Sequence, residues 1–283
     1  MDEDAPAIPD IAPHHFQREH AEAVGEEQLR GLVQILDLQE RLPAVRRLRD
    51  WAMATLSPSP GETCVDVGAG TGAEVLRLAA AVGPEGTVTG IEPHPGMRAE
   101  AQRRAHEAGA HVQFIDGDAA ALPFSEGEVD VLRCERVFQH LPDPQSAARE
   151  IARVLRPGGR AVVLDSDWGT AIISPGAPEV LRRYTDAFWA RLPNPFAGRH
   201  LRRQLQSAGL EVDPDIGSSA LVFPDEAVAG GGILTVNANL AVDEGALTRS
   251  EADQLIEGVS SAARRGEAFV SVTMFAVLAR RPA

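Results

Sequence analysis

The stretch VDVGAGTGAEVLRLA, residues 65–79, decides the fold of this protein. It contains an apolar strand that carries Asp66, then three closely spaced glycines, then the opening of a helix. A strand, a glycine loop and a helix in this order bring backbone N–H groups close to a ligand. That ligand is a dinucleotide, a phosphate, or a compound that contains no phosphate.

The glycines alone leave part of this choice open. A phosphate loop of the Walker A type is excluded because no lysine follows the glycines. Gly68, Gly70 and Gly72, with Ala73 after them, satisfy the GxGxx(G/A) pattern of dinucleotide sites. Asp66 argues against a dinucleotide, because a pyrophosphate at the helix N-terminus would be repelled by an acid beside it. A carboxylate at that position suits a ligand that carries positive charge.

Strands and helices alternate along residues 57–168, which predicts a parallel, doubly wound α/β sheet. The predicted strands are 63–68, 87–93, 111–118, 129–135 and 160–167, and the predicted helices are 73–82, 95–108 and 144–155. Pro157, Gly158 and Gly159 are predicted to form a turn that ends the last helix before the strand resumes.

The regions before and after this core have a different pattern of helices and strands. Residues 16–56 read as helical with one break at Pro43, and the turn cluster SPSPG (57–61) follows them. Beyond Trp168, helical stretches at 177–191 and 198–208 precede a strand near 210–223, and stretches at 225–241 and 248–264 precede a closing strand at 268–281. The whole therefore predicts a seven-stranded, mostly parallel sheet with an N-terminal helical lid and helical insertions around the sixth strand. The predicted division is 1–56 for tail and lid, 57–168 for the ligand-binding core, and 169–283 for the insertions and last two strands. His14, His15, Phe16 and Arg18 are candidates for the lid.

Composition limits the partners. The 283 residues carry a net charge of −14, which would repel nucleic acids and anionic membranes. No apolar run approaches the roughly 20 residues of a membrane span, and the acidic, proline-rich start is unlike a secretory signal. The two cysteines, Cys64 and Cys134, are too isolated for a disulfide framework or a cysteine metal site. These features predict a cytoplasmic protein with a small-molecule substrate, and they leave its oligomeric state open.

Two acids follow later strands at informative positions. Glu92 ends the second strand twenty residues after Gly72, where a carboxylate can accept hydrogen bonds from both hydroxyls of a ribose. NAD sites share this feature. Asp118 follows the third strand and can accept from the exocyclic amine of an adenine.

Together with the glycine loop, these residues resemble the class I S-adenosylmethionine-dependent methyltransferases, in particular the small-molecule branch called type 11. The resemblance covers residues 60–168. It implies that S-adenosylmethionine is the cofactor and S-adenosylhomocysteine the product. It also implies cofactor contacts at Asp66, Gly68, Ala69, Gly70, Gly72, Glu92, Pro93, Met97, Gly117, Asp118, Ala119, Arg133 and Cys134. Asp66 and the glycines would hold the methionine moiety, Glu92 the ribose, and Met97, Asp118 and Ala119 the adenine. Arg133 and Cys134 would lie beside the sulfonium.

His140 and Asp167 are the candidate catalytic residues. His140 follows the fourth strand by about one helical turn, near the direction in which the methyl group would point. Asp165, Asp167 and Trp168 leave the fifth strand at the same edge, and their two carboxylates could take a proton, bind a cationic substrate or ligate Mg²⁺. We expect no metal in this site and assign deprotonation or orientation of the acceptor to His140 or, failing it, Asp167.

The resemblance implies methyl transfer to an oxygen, nitrogen or carbon atom of a small organic acceptor, in bacterial secondary metabolism. The aromatic residues of the lid and insertions suit an organic acceptor, and they are Phe16, Trp51, Tyr184, Phe188, Trp189 and Phe196. Three alternatives remain: a non-methylating reaction such as cyclisation or decarboxylation on the same fold, a NAD(P)-dependent oxidoreductase, and a non-catalytic partner subunit.

Overall fold

The computed structural model describes residues 25–283, and one seven-stranded sheet runs through this part of the chain. Its strands are β1 (Thr63–Val67), β2 (Thr87–Ile91), β3 (Gln113–Ile115), β4 (Val129–Glu135), β5 (Leu155–Ser174), β6 (Glu211–Val222) and β7 (Phe269–Arg280). They lie in the order β3-β2-β1-β4-β5-β7-β6. All neighbours from β3 to β5 are parallel, and β7 is antiparallel to both β5 and β6. The predicted seven-stranded, mostly parallel sheet is confirmed.

Ten α-helices accompany the sheet within residues 25–283. They are α1 (Glu26–Arg41), α2 (Pro43–Leu56), α3 (Ala73–Val82), α4 (Pro95–Glu107), α5 (Pro144–Val154), α6 (Pro178–Ala190), α7 (Ala197–Ser207), α8 (Asp225–Ala229), α9 (Gly232–Asp243) and α10 (Arg249–Arg264). Helices α6 and α7 precede β6 and helices α8 to α10 follow it, so the insertions lie on both sides of the sixth strand as predicted. The lid candidates His14, His15, Phe16 and Arg18 lie outside the described residues.

Local sequence signals explain several helix boundaries. Helix α5 begins where the Asp143 carboxylate accepts hydrogen bonds from the backbone N–H groups of Gln145 and Ser146. Helix α10 begins with a capping box between Thr248 and Glu251. Pro43 ends α1 and opens α2, because proline fits the first turn of a helix but not its interior.

The two faces of the sheet are covered by different helices, and strand alternation decides which side chains each face receives. Val131 and Leu164 pack in the core beneath α2 and α3. Their chain neighbours Leu132 and Val163 pack on the opposite face, beneath α5 and α7. A separate apolar cluster joins α6, α8, α9 and α10. A shift of one position along a strand therefore moves a side chain to the other face of the sheet.

Two strands differ from their predicted lengths. Strand β3 covers only Gln113–Ile115 rather than 111–118, because it is an edge strand and Asp116 begins the loop towards the site. Strand β5 runs from Leu155 to Ser174 rather than from 160 to 167. The Pro157–Gly159 turn lies inside its span, where the register against β4 shifts between Val129 and Val131.

Candidate active site

A cavity of about 730 Å³ lies where β1, β2 and β4 reach their carboxyl ends. This volume is within the range of roughly 300–1,000 Å³ that is typical of small-molecule sites. The strand order reverses between β1 and β4, and open α/β sheets bind their ligands at such a switch point. Helix α1 contributes Leu32, Leu36 and Gln39 to the same cavity.

The glycine loop forms one wall. Gly68 and Gly70 have φ angles of +76° and +53°, which non-glycine residues rarely adopt. The backbone N–H groups of Gly68 and Ala69 donate to the Ile91 carbonyl at 2.8 and 3.0 Å, which ties the loop to the end of β2. A Cβ on Gly68 would lie 2.4 Å from Val137 Cγ2, so the loop passes its neighbours without room for a side chain. Asp66, Gly68, Ala69 and Gly70 all line the cavity, as predicted.

Gly72 has a different position. It precedes α3 with a φ of +86°, and a Cβ there would lie 2.8 Å from Phe114 Cζ. It is not among the cavity-lining residues. This geometry does not support its predicted cofactor contact, because the side of Gly72 without a Cβ is occupied by Phe114 of β3 and Ala101 of α4 behind the loop.

Glu92 connects the glycine loop to the next wall of the cavity. Its carboxylate accepts hydrogen bonds from the N–H groups of Gly70 at 2.8 Å and His94 at 2.9 Å. Burial raises the pKa of this carboxyl. Pro93 and Met97 line the cavity beside it, and Gly117, Asp118 and Ala119 line it from the loop after β3. The structure therefore brings together in one cavity the four residues that were predicted to hold the ribose and adenine, and with them Pro93 and Gly117.

His94, in the same wall, was missed by the sequence analysis. Its Nδ1 accepts hydrogen bonds from the N–H groups of Gly96 and Met97 at 3.1 and 3.3 Å, which caps α4. Nδ1 therefore carries no proton, and in the neutral ring the proton is on Nε2. Burial lowers the pKa of His94, which favours that neutral ring. Nε2 is buried and has no hydrogen-bond partner within residues 25–283. The sequence signal that could have identified His94 is its position immediately before Pro95 and Gly96, at the start of a predicted helix.

The floor of the cavity is a buried ion network. Arg133 donates to Asp66 at 3.0 Å and lies 3.5 Å from Glu74, and it also contacts Glu135. Asp66 and Arg133 are register partners on β1 and β4, so their side chains share one face. Burial raises the pKa of Asp66 to about 6, and Arg133 opposes this rise. The charge of Asp66 is therefore compensated by an arginine of the protein itself.

Glu135 is shared by three arginines. Arg49 of α2 lies 2.9 Å and Arg136 lies 3.2 Å from its carboxylate, and Arg133 contacts it as well. Although burial opposes ionisation, these three guanidinium groups hold the pKa of Glu135 well below its usual range. Arg136 lines the cavity at a φ of +55°, which is strained for a residue with a side chain. Neither Glu135 nor Arg136 was singled out from the sequence.

Cys134 faces away from the cavity. It alternates with Arg133 and Glu135 along β4 and packs in the core on the opposite face of the sheet. Cys134, which was predicted to lie beside the sulfonium, is therefore not among the cavity-lining residues, and its side chain has a core position. Arg133 lines the cavity as predicted.

His140 lines the cavity at the end of a short 3₁₀ turn, Phe138–His140. The turn is fixed because the Gln139 N–H donates to the Asp165 carboxylate at 3.1 Å, and Gln139 Oε1 accepts from the Trp168 indole at 2.8 Å. Burial, followed by the charge of Arg136, lowers the pKa of His140 to about 4. The imidazole is therefore neutral at physiological pH.

Asp167, the second catalytic candidate, is on the opposite face of β5 from Trp168. Its carboxylate contacts the Arg199 guanidinium of α7 through two bonds, of 2.5 and 2.7 Å, and it accepts from the Gly169 N–H at 3.0 Å. Asp167 is not among the cavity-lining residues. Its carboxylate has a structural partner away from the cavity, so the geometry favours His140 over Asp167. Among residues 25–283, no cluster of His, Cys, Asp or Glu side chains is arranged to hold a metal ion.

The remaining wall is apolar. It comes from the end of β5, helices α6, α8 and α9, the end of β6 and the start of β7, through residues such as Trp168, Phe188, Phe223, Val228, Leu234 and Val272. Of the aromatic residues predicted to line the pocket, Phe188 does so, whereas Trp51 packs over Gly217 and Trp189 packs against Phe196. None of the helices in the described part of the chain has the length and hydropathy of a membrane span.

The cavity fits the S-adenosylmethionine that the resemblance implies. The glycine loop has no room for a Cβ, the buried Glu92 carboxylate lines the cavity, and His94 Nε2–H is a buried donor without an acceptor among residues 25–283. A nucleoside has acceptor atoms on both its sugar and its base. The residues of the cavity therefore agree with a nucleoside ligand.

Comparison with known proteins agrees with this geometry. Residues 65–163 match the family model of a methyltransferase domain called Methyltransf_11. An uncharacterized 37.1 kDa protein in transposon TN4556 of Streptomyces fradiae is 34% identical over 250 residues, which cover 88% of this chain and 71% of that protein. The YcgJ protein of Bacillus subtilis, a solved structure, has a TM-score of 0.58 at 18% identity over 84% of this chain and 99% of its own.

Two relatives carry enzyme names. The demethylmenaquinone methyltransferase of Lactococcus lactis is 31% identical over 54% of this chain and 58% of the enzyme. The nocamycin O-methyltransferase of Saccharothrix syringae is 36% identical over 47% of this chain and 47% of the enzyme. The chain thus spans about half the length of each of these named enzymes.

Proposed function

This chain belongs to the class I S-adenosylmethionine-dependent methyltransferases, and we propose that it methylates a small organic acceptor in bacterial secondary metabolism. One observation carries the proposal: a single cavity joins the glycine loop and Glu92 at one end to His140 and an apolar wall at the other. The similarity to a nocamycin O-methyltransferase supports the metabolic setting.

In this proposal the cofactor half holds S-adenosylmethionine and the other half holds the acceptor. The cofactor, when bound, supplies a methyl group that is already activated by its sulfonium. Asp66 and Arg133 fix the loop of Gly68 and Gly70 for the methionine moiety, Glu92 accepts from the ribose, and Met97 packs against the adenine. The protein's main contribution is alignment of the acceptor in a cavity that excludes water.

His140 orients the acceptor atom. A base whose pKa is about 4 is always available in its neutral form above that pH, but it has little driving force to keep a proton. We therefore assign to His140 a hydrogen bond that aligns the acceptor. The acceptor's proton then passes through the imidazole to solvent. Asp167 is left out of this reaction because Arg199 occupies its carboxylate.

The first test is product analysis. Titration calorimetry should show binding of S-adenosylmethionine and S-adenosylhomocysteine and no binding of NADH. Turnover of an accepted substrate should release one S-adenosylhomocysteine per product. Turnover without S-adenosylhomocysteine would instead identify a cyclase or decarboxylase on the same fold, and binding of NADH alone would identify an oxidoreductase.

Replacement of His140 by glutamine should lower kcat by about 10²-fold, the lower end of what a positioned proton-transfer group contributes. The affinity for S-adenosylmethionine should not change. The exposed His106 on α4 offers a control, His106→Gln, with wild-type kcat. If His140→Gln retains full turnover, the imidazole has no part in the reaction.

The same substitution has a pH signature in stability. The folded-state pKa of His140, about 4, is below the ordinary value of 6.5, so the unfolded chain binds more protons between these limits. The wild-type protein should therefore lose stability as the pH falls from 6.5 to 4. His140→Gln should lack this loss, and urea unfolding at pH 7.5 and pH 4.5 would measure the difference.

His94 should contribute to cofactor affinity through its Nε2–H. In His94→Ser the serine hydroxyl still caps α4, but the buried donor is lost. We expect S-adenosylmethionine to bind about tenfold more weakly, in line with one hydrogen bond of up to about 1.5 kcal/mol. Calorimetry measures the affinity, and an unchanged melting temperature shows that the cap persists. Wild-type affinity in His94→Ser would show that Nε2–H does not contact the cofactor.

A further inference from the structure

The acceptor half of the cavity is uniform in chemistry. The lining side chains that come from residues 168–272 are all uncharged, and nearly all of them are hydrocarbon. Trp168 and Phe188 form an edge-to-face pair with centroids 4.9 Å apart on one side, and Val228, Leu234 and Val272 lie on others. An ion inside this chamber would lose its hydration without finding a partner there. The body of the acceptor must therefore be apolar.

Apart from Ser166 of β5, the polar side chains near this half of the cavity follow β4, and they are Arg136, Gln139, His140, Asp143 and Ser146. Asp143 is exposed and caps α5, so Arg136 is the buried charge among them. The side chain of Arg136 is only 14% exposed, and it contacts Gln39 and Glu135. Glu135 also contacts Arg49 and Arg133, which have Glu74 as a further partner, and Asp165 is the other acid whose charge acts on Arg136. His140 is near enough for its protonation to be disfavoured by Arg136.

A buried guanidinium beside a neutral imidazole favours a particular kind of acceptor atom. An oxygen that carries negative charge would be attracted to Arg136 and could accept its hydrogen bonds. An ammonium group would be repelled by the same guanidinium and would also lose its solvation. The non-glycine φ of +55° at Arg136 shows that the chain accepts backbone strain to hold the residue there.

From this juxtaposition we propose that the acceptor is a predominantly apolar molecule with an acidic hydroxyl, a phenol or enol, that Arg136 binds as the oxyanion for O-methylation. The inference rests on the proposed methyl transfer and names its substrate class. The hydroxyl proton leaves to solvent, an oxygen lone pair forms the new O–CH₃ bond, and the S–CH₃ electron pair stays on sulfur as S-adenosylhomocysteine. The product ether is neutral, so it loses its attraction to Arg136, which favours release.

The test measures binding of matched probes to the enzyme saturated with S-adenosylhomocysteine. The probes are 4-alkylphenols from ethyl to octyl, and 4-alkylbenzylammonium ions of the same alkyl lengths. Each added methylene that enters the chamber should tighten phenol binding about fourfold, until the chamber is filled. The ammonium ions should bind at least about tenfold more weakly. With S-adenosylmethionine, the best phenol should give its methyl ether.

Variants of Arg136 separate the effect of its charge on phenol binding from any effect on folding. For the wild type, phenol affinity should increase as the pH rises towards the phenol pKa, because more of the oxyanion is present. Arg136→Gln should abolish this increase, and Arg136→Lys should restore it in part. The affinity for S-adenosylhomocysteine and the melting temperature report whether each variant is folded.

Several outcomes would overturn the inference. They are an affinity that does not depend on alkyl length, equal binding of phenols and ammonium ions, absence of phenol binding by a protein that binds S-adenosylhomocysteine, or an effect of Arg136→Gln on the cofactor alone. A wild-type protein that binds neither S-adenosylmethionine nor S-adenosylhomocysteine would instead contradict the proposed function itself.

Discussion

Replacing Arg133 by methionine should lower the free energy of unfolding by about 3–5 kcal/mol, the usual cost of removing one partner from a buried ion pair. Arg133 is 2% exposed and contacts Asp66, Glu74 and Glu135. Methionine fills similar space but carries no charge. The carboxylates of Asp66 and Glu74 would then lie in a low-dielectric floor with less compensation. Urea unfolding at pH 8 measures the loss.

The pH dependence of this loss identifies its cause. The pKa of Asp66 is already raised to about 6 by burial in the presence of Arg133, and without Arg133 it should rise further. A carboxyl with a raised folded-state pKa contributes stability at low pH that disappears as the pH rises through that pKa. The deficit of Arg133→Met should therefore be largest at pH 8 and smaller at pH 5.

Arg103 supplies the matched control. It also contacts two carboxylates, Glu100 at 2.7 Å and Glu107 at 2.5 Å, but it is on the exposed side of α4. Exposed ion pairs contribute little to stability, so Arg103→Met should unfold close to the wild type at both pH values. Equal unfolding midpoints for the two variants would show that the buried network does not depend on Arg133.

The sheet and the cofactor half of the site could be predicted from the sequence because their signals are local. A strand that carries Asp66 and is followed by glycines defines the loop within about ten residues. Glu92 and Asp118 line the same cavity because the carboxyl ends of parallel strands meet at one edge of the sheet, wherever their helices pack.

Two predicted site residues, Asp167 and Cys134, do not line the cavity for the same physical reason, which is the direction that side chains near strand ends face. Asp167 and Cys134 are at the predicted edge, but each is one position out of phase with the cavity-facing Trp168 and Arg133. Which side chains of β4 and β5 face the cavity is decided by how these strands pack against the helices on each side of the sheet. The partners of Arg133 were likewise unpredictable, because they come from β1, α3 and β4. The charged alternation of Arg133 and Glu135 in an otherwise apolar strand was a signal that could have been used.

Replacing Gly68 by alanine should weaken S-adenosylmethionine binding by about 10²-fold. An added Cβ would lie 2.4 Å from Val137 Cγ2, and the φ of +76° is unfavourable for alanine. Overpacking of this kind costs roughly 1–3 kcal/mol and the left-handed backbone roughly 1–2 kcal/mol more. The free protein can relieve this strain by moving the loop away from Val137 and from the Ile91 carbonyl. Cofactor binding requires the loop in its original place, so most of the cost is expressed as lost affinity, which calorimetry measures.

Gly61 isolates the steric part of this argument. Its φ is +85°, close to that of Gly68, but a Cβ there would have no atom within 4 Å, and the residue is in the turn before β1. Gly61→Ala therefore introduces the same backbone strain away from the cavity. It should lower the melting temperature slightly and bind S-adenosylmethionine as the wild type does. If Gly68→Ala also binds normally, close approach at this glycine is not what the cofactor requires, and the loop must hold its ligand without contact at Gly68.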